Sequence, residues 1–141
     1  MVGVVESTIS LSIEMVALGL LIGGYLLKRQ GRYRQHGLSM LSALALHVVA
    51  ILFVMVPSLL AFFSVPSAVN FADILVIVTL VHVSAGLLAA LLGVWLVSSW
   101  HLQADLQTCF RKKRIMDVTM SLWLLAIALG VILYLVIVQV I

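Results

Sequence analysis

Four histidines stand out in a chain with few other groups able to do chemistry: His36, His47, His82 and His101. His36, Met40, Ala43 and His47 follow one another at spacings of four, three and four residues, which places them on one face of an α-helix. His82, Gly86, Ala89 and Gly93 repeat that spacing. His47 lies within LSALALHVVAILFVMV and His82 within LVIVTLVHVSAGLLAALLGVWLV. Each imidazole is thus a titratable ring in an apolar run, where it needs a partner. Two imidazoles at matched depth on facing helices are the ligand set of a six-coordinate b-type haem. Cys109 is the only cysteine, which excludes an intramolecular disulfide, a C-x-x-C haem attachment and a cysteine-built zinc site.

The elements that must position these rings are membrane spans. Of 141 residues, 65% are hydrophobic and 9% charged, and mean hydropathy is +1.31; so few charges cannot cover a water-facing surface. Four stretches, 9–27, 37–56 (with room to continue past Pro57), 74–100 and 115–140, are each long enough to cross ~30 Å of hydrocarbon as a helix. None alternates apolar and polar residues as a barrel strand must. The predicted fold is all-α, a single-domain transmembrane four-helix bundle over residues 1–141, running up-down-up-down.

All eight basic residues fall in two clusters, Lys28, Arg29, Arg32 and Arg34 after the first span and Arg111, Lys112, Lys113 and Arg114 before the fourth. The other face carries only Glu6, Glu14 and Asp73. The positive-inside rule therefore predicts cytoplasmic basic loops, with both termini and the uncharged loop 57–70 outside, in a multi-pass plasma-membrane protein. Short basic loops beside spans are explained by topology and by the anionic lipid they face, so nucleic acid is not an expected partner. MVGVVESTIS lacks the basic n-region of a cleaved signal peptide, so the first span is expected to be retained.

If spans two and three form a hairpin turning near Pro66, His47 lies 19 residues before the turn and His82 16 after it, within ~5 Å of the same depth. Gly86 and Gly93 then leave either a groove for a flat macrocycle or simply a place for helices to approach closely. His36 and His101 end the same two spans and make a candidate ligand pair for a second haem. His101 is 19 residues past His82, about 100° round an ideal helix, so Met40 is an alternative axial ligand. Arg32, Arg34, Arg111 and Arg114 are placed to receive propionates through their guanidinium forks. Glu14, inside the first span, is either a carboxylate acceptor behind a histidine or a proton relay for quinol chemistry. Met116, Thr119, Met120, Trp123, Gly130 and Tyr134 form a stripe that could border a cofactor. Gly19 and Gly23 form a GxxxG, suited to close helix contact in the bundle or in a homodimer. No phosphate-binding loop, H-E-x-x-H or G-x-S-x-G is present, which leaves an ATPase or hydrolase without a motif.

The run RYRQHGLSM after a basic loop, the histidine eleven residues later, the histidine of span three and FRKKRIMDVTMSLWLLAIALGVILYL resemble a family of small four-helix membrane proteins of unknown function with paired histidines. Some bacterial members of that family assist maturation of haem-copper oxidases. The arrangement is also similar in kind to diheme b-type membrane cytochromes. The resemblance implies that His36, His47, His82 and His101 are the functional histidines. The reading that follows is a haem b protein, with one haem or two, passing electrons from a quinol or another donor to a redox partner or respiratory complex. It is an electron carrier more than a stand-alone enzyme. A haem-binding assembly factor and a cofactor-free structural subunit are the alternatives.

Overall fold

A computed structural model of the chain describes residues 4–64, 73–100 and 111–138. They form α1 (Val4–Arg29), α2 (Tyr33–Ala50), a π-helical segment (Ile51–Met55), α3 (Val56–Phe63), α4 (Ile74–Trp100) and α5 (Lys113–Ile137), with no strand among the described residues. α2, the π segment and α3 run on as one helix, Tyr33–Phe63; with α1, α4 and α5 this makes four helices long and apolar enough to cross a membrane.

Local chemistry sets the breaks. α1 ends in a Schellman turn: the Arg32 amide bonds the Leu27 carbonyl at 3.0 Å, the Gly31 amide bonds that of Lys28 at 3.1 Å, and Gly31 takes φ +75°, a left-handed conformation suited to glycine. The turn is short enough to fold α2 straight back along α1. Pro57 does not stop the second helix. It has no amide hydrogen and its ring crowds the carbonyl four residues earlier; the wide π turn just before it absorbs that misfit, and the Ser58 hydroxyl donates to the Val54 carbonyl at 2.6 Å. Asp73 starts α4, its carboxylate accepting the Leu75 amide at 2.9 Å, as an N-cap should.

Packing is closest within two hairpins, α1 with α2 and α4 with α5. In the first, small residues let the backbones meet: Ser39 donates to the Leu20 carbonyl at 2.7 Å, and a Cβ at Gly24 would stand 3.3 Å from that of Ser39. The hairpins join where α1 meets α5 and α2 meets α4. Their shared core is Ala17, Leu21, Ala43, Leu44, Ala89, Trp123 and Ile127. The closest neighbours are thus one-two and three-four, whereas the depth argument from sequence paired spans two and three. The GxxxG of α1 takes no part in this packing, for a Cβ at Gly19 or Gly23 would meet nothing within 4 Å.

Candidate functional site

The helical stripes read from the sequence face inward. His36, Ala43 and His47 are buried on α2, as are Gly86, Ala89 and Gly93 on α4 and Thr119 and Trp123 on α5. At mid-bundle they build one polar cluster that touches all four long helices. His47 is 1% exposed. Its Nδ1 lies 2.6 Å from Glu14 Oε1 on α1, and its Nε2–H donates to the Gly86 carbonyl on α4 at 3.2 Å. Trp123 of α5 packs on the imidazole, ring centroids 4.7 Å apart, and its indole N–H makes a longer 3.4 Å contact to Glu14 Oε2.

The Gly86 carbonyl can only accept, so the Nε2 proton is fixed. A single further proton then occupies the 2.6 Å contact, on Nδ1 as an ion pair or on the carboxyl as a neutral pair. As an ion pair, Glu14 accepts from Nδ1–H, the role that the sequence suggested for it behind a histidine; as a neutral pair, its carboxyl O–H donates to Nδ1.

Cavities lie on both sides of this cluster. At the end carrying the basic residues, a half-open cavity of about 480 Å³ is lined by all four long helices, among them Lys28, His36, Met40, Gly93, Met120 and Trp123. Toward the opposite end, a second of about 340 Å³ is bordered by Glu14, His47, Thr79, His82, Gly130 and Tyr134. The cluster is the partition: Trp123 faces the first, Glu14 and His47 the second.

His36 and His82 share one local design. The Nδ1–H of His36 donates to the Gly24 carbonyl at 2.8 Å, and that of His82 to the Ala126 carbonyl at 2.8 Å. A carbonyl cannot donate, so Nδ1 carries the proton in both rings, and in the neutral imidazole Nε2 keeps its lone pair. No described side chain or backbone group bonds either Nε2, neither is an unsatisfied buried atom, and each ring borders its cavity. Tying down one ring nitrogen so that the other can ligate is the arrangement found behind metal-binding histidines.

The donor set therefore suits haem iron at His36 and His82, since the porphyrin supplies four nitrogens and the protein need add only axial ones. His47 does not fit as it stands: both of its nitrogens are taken, and its ring lies on Gly86 instead of facing His82 across an open plane. Level with Gly86, it stands one turn, ~6 Å, from His82. The two glycines read from sequence as a groove are filled from α2. A Cβ at Gly86 would meet the His47 ring at 3.8 Å, and one at Gly93 would meet Leu44 Cδ1 at 2.8 Å. Gly130 does for His82 what Gly86 does for His47, with a Cβ there 3.0 Å from the ring's Cε1.

The contact distance at Gly86 makes a prediction. At 3.8 Å an added methyl is in ordinary contact, and alanine improves helix propensity by about 1 kcal/mol. Gly86→Ala should leave thermal stability in detergent unchanged or slightly raised, while Gly86→Leu displaces His47 and lowers it. A clear loss with alanine would mean that the space at Gly86 serves something other than the imidazole.

The remaining expected site residues separate. Arg32, Arg34, Arg111 and Arg114 are exposed and line neither cavity; the cations that do are Lys28 and Lys112, which side-chain chemistry alone did not single out. Lys112 donates to the Ser99 carbonyl at 2.8 Å and lies 5.4 Å over the Trp95 ring. His101, with Pro66 and Cys109, falls outside the described residues. Among the described residues no three His, Cys, Asp or Glu side chains converge as a metal cluster.

Comparison with family models, curated proteins and solved structures finds no match. The functional reading rests on this geometry and on the motifs in the sequence.

Proposed function

We propose that this chain is a multi-pass membrane protein that binds haem b, with His82 as axial ligand in the cavity beyond the cluster and His36 in the cavity at the basic end. One observation carries the reading: two imidazoles, each bordering one mostly apolar cavity, with Nδ1 held by a backbone carbonyl and no described partner at Nε2. His101, which follows Trp100 in the sequence, is kept from the sequence reading as the candidate second ligand paired with His36. When bound, haem supplies a one-electron couple at low-dielectric depth, and electron transfer to a membrane partner is the activity proposed. The chain's own part is to orient the imidazoles, exclude water and hold the helices in register. His47 and Glu14 belong to that last task. Both Glu14 oxygens are engaged, which supports a partner of His47 over the proton acceptor of a quinol.

A visible spectrum of the purified protein, oxidised and dithionite-reduced, tests the proposal. A Soret band with α and β bands on reduction is expected, and a colourless preparation that takes up no added haem overturns it. It would leave the cofactor-free structural reading.

Delivery of haem to a respiratory oxidase is a second reading, favoured by the single free imidazole nitrogen that each cavity offers among the described residues. A group held by one side chain exchanges more readily than one held by two. Transfer of bound haem to apomyoglobin within minutes is expected for the delivery role, and retention for the electron carrier.

The proposed orientation places the basic loops in the cytoplasm and both termini outside. A reporter fused after Ile141 should be active only on the extracytoplasmic side; cytoplasmic activity would invert the assignment.

A further inference from the structure

We propose that the cavity at the basic end binds a membrane-dissolved apolar molecule bearing a carboxylate, with Lys28 and Lys112 as the counter-charges for its head. This stands on the lining of the cavity and not on the haem reading. The deep walls are apolar: Leu21, Met40, Leu44, Gly93, Met120 and Trp123. Toward the basic loops the lining turns polar, with Lys28, Tyr25, Tyr33, Lys112 and Asp117. Two ammonium groups face one carboxylate, and neither lysine forms an ion pair with Asp117 among the described residues.

Lys112 is held in place by the Ser99 carbonyl and the Trp95 face, yet a lysine has three N–H donors and only one is engaged there. An occupant must therefore be apolar for most of its length and anionic at one end. Guanidinium forks, which match carboxylate and phosphate alike, are absent from the lining, since all five arginines flanking this end of the bundle are exposed. The two lysines act as point charges on an anionic head, and a carboxylate is the head that a membrane-dissolved single-chain acid carries. A volume of about 480 Å³ suits a single chain or a flat ring system better than a two-chain phospholipid body.

Two sources carry this chemistry, a free fatty acid and a porphyrin with propionates, and one assay separates them. Trp123, buried in the cavity wall, is a reporter in the W95F/W100F variant. Dibrominated stearic acid should quench its fluorescence saturably, and the methyl ester should bind about tenfold more weakly, at roughly three- to fivefold per lysine. In K28Q/K112Q the acid should fall to the level of the ester, with helical circular dichroism unchanged. The acid-over-ester preference is also measured in wild-type protein by competition, so that it does not hinge on the tryptophan variants. Metal-free protoporphyrin IX should displace the brominated acid, its dimethyl ester should not, and neither outcome depends on iron ligation. If porphyrin fails to compete while the acid binds, the occupant is a lipid acid, and the haem assignment at His36 is decided by the visible spectrum instead. If acid and ester bind alike, or the double lysine variant keeps the preference, the carboxylate site is refuted.

Discussion

Replacing Glu14 by alanine is expected to lower the stability of the bundle by about 3–5 kcal/mol if the pair is ionised, the range for removing one partner of a buried charged pair, and by about 1–3 kcal/mol if it is neutral. The expectation follows from position. The side chains of His47 and Glu14 are 1% and 8% exposed, and the pair is the point where all four long helices are tied together. With Glu14 removed, Nδ1 of His47 loses its bonding partner at the wall of the second cavity. An ordinary interhelical hydrogen bond in a membrane protein averages only about 0.6 kcal/mol, so the size of the loss distinguishes a pair with charge separation from a neutral one.

Glu14→Gln keeps a polar group of the same shape at Nδ1 and should cost no more than about 1 kcal/mol if the shared proton normally resides on the carboxyl. It should approach the alanine value if the proton resides on the imidazole. Thermal unfolding in detergent, or titration with a denaturing detergent, reads both variants. An alanine variant as stable as wild type would show that the cluster does not hold the helices together.

Much of this architecture is legible in the residues. Hydropathy and length are enough for the four long helices, because the bilayer thickness sets how many apolar residues a helix needs. The period of 3.6 is enough for the inward stripes, so that His36, His47, Gly86 and Trp123 face the interior as their spacing requires. Two kinds of information are not carried by residue type. The first is which face meets which: the stripe on α2 does meet that on α4, at Gly86 and Gly93, but His47 also reaches Glu14 of α1, because the one-two hairpin is packed so closely. The second is the acceptor of each imidazole. Gly24, Gly86 and Ala126 contribute carbonyls, and a backbone carbonyl leaves no signature in sequence. Proline is a similar case: the sequence left the second span room to continue past Pro57, and a π turn and a serine hydroxyl carry the helix through it. The arginines were chosen for the chemistry of their fork, whereas position along the helix brings Lys28 and Lys112, not the arginines, to the cavity.

His82→Ala is expected to weaken haem binding by about 100-fold or more at the cavity it borders, and His47→Ala to act mainly on stability. Loss of a group that merely orients a metal ligand costs about 10- to 100-fold in affinity, so loss of the ligating nitrogen itself should cost at least the upper end. The fold should survive the His82 change, because that ring makes one hydrogen bond, to a carbonyl already within a helix, and fills a hollow against Gly130. That hollow offers a control. Exogenous imidazole can enter it in the His82→Ala variant and restore the reduced α band, a rescue that a merely structural histidine would not show. His47 contrasts on every count, being buried to 1%, bonded at both nitrogens and stacked on Trp123. Its alanine variant should lower the melting temperature more than the haem-to-protein ratio of the folded fraction. A His82→Ala protein with an unchanged spectrum removes that residue as a ligand. A folded His47→Ala protein without haem would restore His47 as the axial partner of His82 and would require its bond to Gly86 to open when haem enters.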